Sequence, residues 1–225
     1  MFRFQLRISP QDDRMMVGPL RTLVMVGAVA AILGALLTIS ADGLGLITGI
    51  SGEGFSNDTV GLMMSVLFLA GKVLILVGLV GLYLRQSHAA GTFGVVAFVI
   101  FLAGTGLMIA TDWAEVFVAP ILADALPDIA TNVPPRIMVG FILDFATEAV
   151  GLLLFGIATF RAGVLPRPAA LLVAVGNLIP FVGLPWAFMF LYMGVVWLGI
   201  AVLRSLRPAT LPVIPTVGTE VVEQV

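Results

Sequence analysis

The sequence contains no cysteine and only one histidine, His88. These absences exclude disulfides, iron–sulfur ligation, thiolate zinc sites, cysteine nucleophiles and paired-histidine haem or metal centres. Charge is scarce too: 11% of the 225 residues are charged, against roughly 25% in soluble domains. Apolar residues make up 60% of the chain, and the mean hydropathy is +1.15. A soluble globular domain is thereby excluded. The apolar content suffices for six helical spans of about 20 residues each. The expected fold is an all-α membrane protein, a six-transmembrane-helix bundle forming one integral membrane domain over residues 1–225.

The first uncharged run covers 22–41, between Arg21 and Asp42. At 1.5 Å per residue it is long enough to cross about 30 Å of hydrocarbon. A cleaved signal peptide is the competing reading. The residues before the run, and its own length, exceed a signal core of about 7–15 residues. Further spans are expected at 61–84, interrupted only by Lys72, at 93–110, and at 137–160, which follows Pro134 and Pro135 and carries Asp144 and Glu148. From Pro168 to Arg204 lies a run of 36 uncharged residues divided by Pro180 and Pro185. It reads as two short spans, 168–184 and 186–204. One strongly kinked helix with a re-entrant piece is the alternative.

Arginine placement sets the orientation, because positively charged short loops stay cytoplasmic. With six spans, nine arginines (Arg3, Arg7, Arg14, Arg21, Arg85, Arg161, Arg167, Arg204 and Arg207) share one side with four acids. The opposite side has Arg136 alone against seven acids, among them Asp42, Asp112, Glu115 and Asp124. Both termini are therefore expected inside.

Outside the spans, the first outer loop (41–60) is glycine-rich but lacks the helix start and cation of a phosphate cradle. Asn57-Asp58-Thr59 is a formal sequon close to the membrane. The second outer loop (111–136) can place Trp113, Val116, Phe117, Ile121 and Leu122 on one apolar face. A short interfacial helical segment is expected there, either a cap over the bundle or a lid or partner-binding surface. The N-terminus alternates Phe2, Phe4 and Leu6 with Arg3 and Arg7, which suits anionic lipid heads or a disordered end. The proline-rich tail 208–225 is expected to be flexible. His88, in the inner loop RQSHAAGT, reads as a solvated residue. Small residues at four- and seven-residue spacing (Gly27, Ala31 and Ala35; Ala30, Gly34 and Thr38; Gly71 and Gly78) permit close helix packing.

The chemistry concentrates in three intramembrane charges, Lys72, Asp144 and Glu148, because charge at mid-membrane is costly and usually paired or functional. Asp144 and Glu148 share a helical face with Gly140, Thr147, Gly151 and Ala158. Lys72 and Glu148 each lie eleven residues past their span starts, about 16 Å deep, on spans running the same way. An ion pair between them is expected, shared with Asp144 as a further acceptor, with Thr147 and Asn177 as polar neighbours. The cluster reads either as a buried lock fixing helix register or as a proton or cation relay or ligand pocket. No nucleophile and base stand at sensible spacing for an enzyme. No cofactor, metal or nucleic-acid partner is expected.

DWAEVFVAP at 112–120 and GLLLFGIATFRAGVLPRPAALLVAVGNLI at 151–179 together resemble a broad set of uncharacterised bacterial six-helix membrane proteins, in which an R-x-G-x-x-P-R inner turn links two late helices. The resemblance implies a bacterial plasma (inner) membrane location and transfers no catalytic residue. In that turn, Gly163 should end one span and Pro166 or Pro168 begin the next. The expectation for function is a structural or accessory integral membrane protein, in contact with the lipid bilayer and with other membrane subunits. The alternative is a proton- or cation-coupled carrier, or a binder of a small polar or lipidic ligand.

Overall fold

In the computed structural model, residues 10–49, 59–126, 128, 132–178 and 188–206 are described, the side chains of 10–17 excepted. Among them the regular structure is entirely helical: α1 (Pro10–Thr48), α2 (Thr59–Phe117), α3 (Ala119–Ala125), α4 (Pro135–Ala162), α5 (Arg167–Gly176) and α6 (Phe188–Ser205). Four of them, α1 from Gly18 onward, α2, α4 and α6, are long and apolar enough to cross a membrane.

α2 is two rods in one element. At Gly91 the backbone takes φ 57°, ψ −158°, a region open essentially to glycine alone, and the chain reverses there. Tyr83 and Phe98 consequently stack face to face with ring centroids 4.2 Å apart. On a straight helix these two residues would be separated by about 22 Å. The expected inner loop around His88 is therefore mostly helical, with the turn confined to a single residue.

Six antiparallel rods close into a ring: α1, the first limb of α2 (59–90), its second limb (92–117), α4, α5 and α6, which returns to α1. Small residues set the spacing. A methyl group added at Gly27 would lie 2.6 Å from the Cα of Gly81, and one at Gly78 would lie 2.6 Å from the Cα of Ala31. On the other side, Gly104 abuts the backbone of Glu148, and Gly151 that of Phe101. The expected small-residue motifs of α1 and α2 thus pack within the chain. Gly176 meets Leu191 and Gly194 meets Ala169, so α5 and α6 are separate helices that run antiparallel. The remainder of the expected 168–184 span beyond Leu178 falls outside the described residues, as do 1–9, residues 50–58 of the first outer loop and the tail from 207.

The turn after α4 follows its sequence. Gly163 caps α4 in the left-handed conformation (φ 65°), its N–H donating to the carbonyl of Thr159, and Pro166 caps the start of α5. Two elements run past their expected ends. α1 continues to Thr48 rather than stopping at 41, and α2 runs to Phe117 rather than 110. The expected outer cap is reduced to the seven-residue α3. Trp113, Phe117 and Ile121 are 52%, 53% and 67% exposed, an outward apolar patch.

Arg21, Arg85 and Arg161 lie at one end of the rods. Arg21 donates to the terminal carbonyl of Leu206 at 2.7 Å, joining the start of the α1 span to the end of α6. Arg85 donates to Ser205 Oγ at 3.2 Å. Arg161 lies over the ring of Phe93, beside the Gly91 reversal. Asp42, Asp112 and Glu115 sit at the opposite end of the same rods.

Candidate functional site

Lys72, on the first limb of α2, and Glu148, on α4, are both buried, and both carboxylate oxygens of Glu148 lie 2.6 Å from Lys72 Nζ. The two rods are not neighbours in sequence; the reversal at Gly91 and the close approach of Gly104 to Glu148 bring them to one level. A two-oxygen acceptor facing one ammonium is the arrangement that offsets the cost of removing both charges from water.

Asp144 does not share the lysine. Its Oδ2 accepts a short hydrogen bond from Thr111 on the second limb of α2, and its Oδ1 lies 2.6 Å from the N–H of Phe145. One turn along α4 separates it from Glu148, and that turn suffices to bring a different rod opposite. The expected three-residue cluster is thus two adjacent couples, Lys72–Glu148 and Thr111–Asp144.

Thr147 is not a polar neighbour of the pair. Its hydroxyl donates back to the carbonyl of Leu143 at 2.6 Å, on a more exposed part of α4. The buried face of α4 instead runs Asp144, Glu148, Gly151, Leu152, Phe155, Gly156, Ala158 and Thr159. Thr147 lies about 100° around the helix from Glu148, which places it beyond the edge of that stripe. Asn177 is buried at the end of α5 and donates to the carbonyl of Ala149 at 2.9 Å, tying α5 to α4 beside the pair.

A cavity of about 290 Å³ reaches the pair and is not fully enclosed. Its walls hold Lys72 with four carboxylates, Asp42, Asp112, Glu115 and Glu148. Between them stand the rings of Phe68, Phe141, Phe145, Phe188 and Tyr192, and Thr111 and Asn177 complete the polar lining. The cavity extends from mid-bundle toward the acidic end of the rods.

Toward the arginine end it meets an apolar plug contributed by every rod: Ala31, Ile75, Leu79, Leu82, Phe101, Phe155, Val173, Val195 and Leu198. The space left among these side chains is about 10 Å³, at the lower limit for a single water and far short of a file of them. Past the plug, Gln86 donates to Thr159 Oγ1 at 2.8 Å, a further buried polar tie between the first limb of α2 and α4.

Sequence reasoning missed Thr111, Asp112, Glu115, Asp42 and Tyr192 as cavity residues. A signal was present for three of them. Met108, Thr111, Asp112 and Glu115 follow the i, i+3, i+4, i+7 spacing of one helical face. Asp42 and Tyr192 carried no comparable mark. Among the described residues, no group of three or more metal-ligating side chains is gathered as a metal site. No family model matches the sequence, no curated protein is significantly similar to it, and no solved structure is similar to the fold.

Proposed function

We propose that the chain is a six-span protein of a bacterial plasma membrane, with both termini inside, whose cavity opens outward and binds a small organic cation. The carrying observation is the composition of the cavity wall, four carboxylates against one ammonium, interleaved with five aromatic rings. Carboxylates supply the field that concentrates a cation, and ring faces attract one that has shed its water. A volume of about 290 Å³ is at the lower end of ordinary ligand cavities. Lys72 pairs with Glu148 at the floor, and Asp42, Asp112 and Glu115 stand in the wall above it. The plug supports a site closed toward the arginine end, as in a receptor or in one state of a carrier. Six spans and the orientation are supported by the six antiparallel rods and by the separation of arginines from acids.

The test is equilibrium dialysis of radiolabelled tetramethylammonium against the purified chain in phosphatidylcholine nanodiscs. Saturable binding is expected, weakened at least about tenfold in Asp112→Asn/Glu115→Gln, a loss of about 1.4 kcal/mol. Absence of saturable binding, or affinity unchanged in the double variant, contradicts the proposal.

A second reading, an accessory subunit in which Lys72–Glu148 serves as a register lock alone, is favoured by the two-oxygen geometry of the pair. Under that reading no cation binds.

A further inference from the structure

A second cavity, of about 370 Å³, lies between the end of α2, α3 and the start of α4. Its lining is almost wholly apolar: Ala110, Ala114, Val118, Ala119, Leu122, Ile137 and Gly140. It shares Thr111, Glu115 and Phe141 with the cation cavity, so the two adjoin across one set of side chains. Small residues on the facing helices produce the space: a methyl group at Gly140 would meet nothing within 4 Å.

Resting on the cation-binding reading, we infer that the natural ligand is amphipathic: an ammonium head in the aromatic and acidic cavity, with an alkyl tail lying in the second cavity between α2, α3 and α4. Charge complementarity selects the head, and the adjacency of the two cavities, which share Thr111, Glu115 and Phe141 as lining, selects the tail. The shared residues suit such a junction, since Phe141 offers a ring to the first tail carbons while Glu115 remains on the side of the head. Trp113, Phe117 and Ile121 are exposed along the same α2–α3 corner, so the tail cavity sits where the bundle presents its apolar surface. A tail entering there comes from the lipid phase, whereas a short ligand would come from water.

The experiment compares tetramethylammonium with octyltrimethylammonium on the native chain and on Gly140→Leu, in phosphatidylcholine nanodiscs, with partition into empty discs subtracted. The open space at Gly140 accommodates the leucine without displacing backbone, so folding is retained, and circular dichroism and a thermal melt check that it is. On the native chain, octyltrimethylammonium is expected to bind at least about tenfold tighter than tetramethylammonium, from burial of the added methylenes. In Gly140→Leu the tetramethylammonium affinity is unchanged, and the octyl advantage falls to within about threefold as the tail loses its apolar surface. An octyl advantage as large in Gly140→Leu as in the native chain overturns the tail assignment and leaves the cation cavity standing. Failure of tetramethylammonium itself to bind the native chain overturns the cation reading and this inference with it.

Discussion

Lys72 and Glu148 carry the largest single energetic consequence in the bundle. Removing one member strands a charge in a site built for two, and broken buried pairs of this kind cost about 3–5 kcal/mol. Lys72→Met is therefore expected to lower unfolding stability by about that amount, read as the midpoint of denaturation in detergent. Lys72→Met/Glu148→Leu should recover most of the loss, because neither charge is then buried. Recovery of folding without recovery of tetramethylammonium binding would show that the pair serves the floor of the cavity as well as the register of the helices. At this scale the sequence was informative where matching depth decided the outcome, as for Lys72 and Glu148. It was misread for Thr147, which was placed on the Asp144 and Glu148 face although one residue along a helix turns by about 100°. Asp144 lay between these cases: its burial followed from its spacing to Glu148, but its partner Thr111 depended on which rod faced that turn.

Among the elements, α2 depends most on one residue. The φ 57°, ψ −158° conformation at Gly91 is one a side chain rarely adopts, so Gly91→Ala is expected to cost about 1–3 kcal/mol even though nothing lies within 4 Å of the new methyl. Gly78→Val should be destabilising for a different reason, since its added atoms run into the backbone of Ala31 and force α1 and α2 apart. Gly106→Ala is the matched control: it lies in a helix with open space around it and should be neutral or stabilising by up to about 1 kcal/mol. Thermal melts of the three variants rank the effects, and a Gly106→Ala loss equal to that of Gly78→Val would refute the packing account. Hydropathy located the rods well but not their ends. Charged residues such as Asp42, Asp112 and Glu115 mark where the hydrocarbon run stops, whereas the helices continue past them because their backbones remain hydrogen-bonded. The short expected loop at 85–92 failed for the same reason, since polar residues within a helical hairpin do not themselves break a helix.

For the whole molecule, the all-helical, membrane-spanning character was legible in the sequence, because it follows from the lengths of the apolar runs, whereas the order of the rods around the ring was not. The cavity was not, because it results from side chains on all six rods, Asn177 at the end of α5 included, meeting around one space. Its closure by the plug likewise depends on residues that hydropathy alone cannot distinguish from lipid-facing ones. On the proposed function, a charged and aromatic cavity opens to the outside and is sealed toward the arginine end. Because the native chain has no cysteine, single cysteines can be introduced without background and reacted in intact cells with a charged, membrane-impermeant thiol reagent. Met108→Cys, in the cavity wall, is expected to be modified in intact cells, Leu198→Cys, in the plug, is not, and His88→Cys should react only after the cells are opened. Modification of Leu198→Cys from outside, or protection of Met108→Cys with His88→Cys reactive in intact cells, would contradict the proposed function.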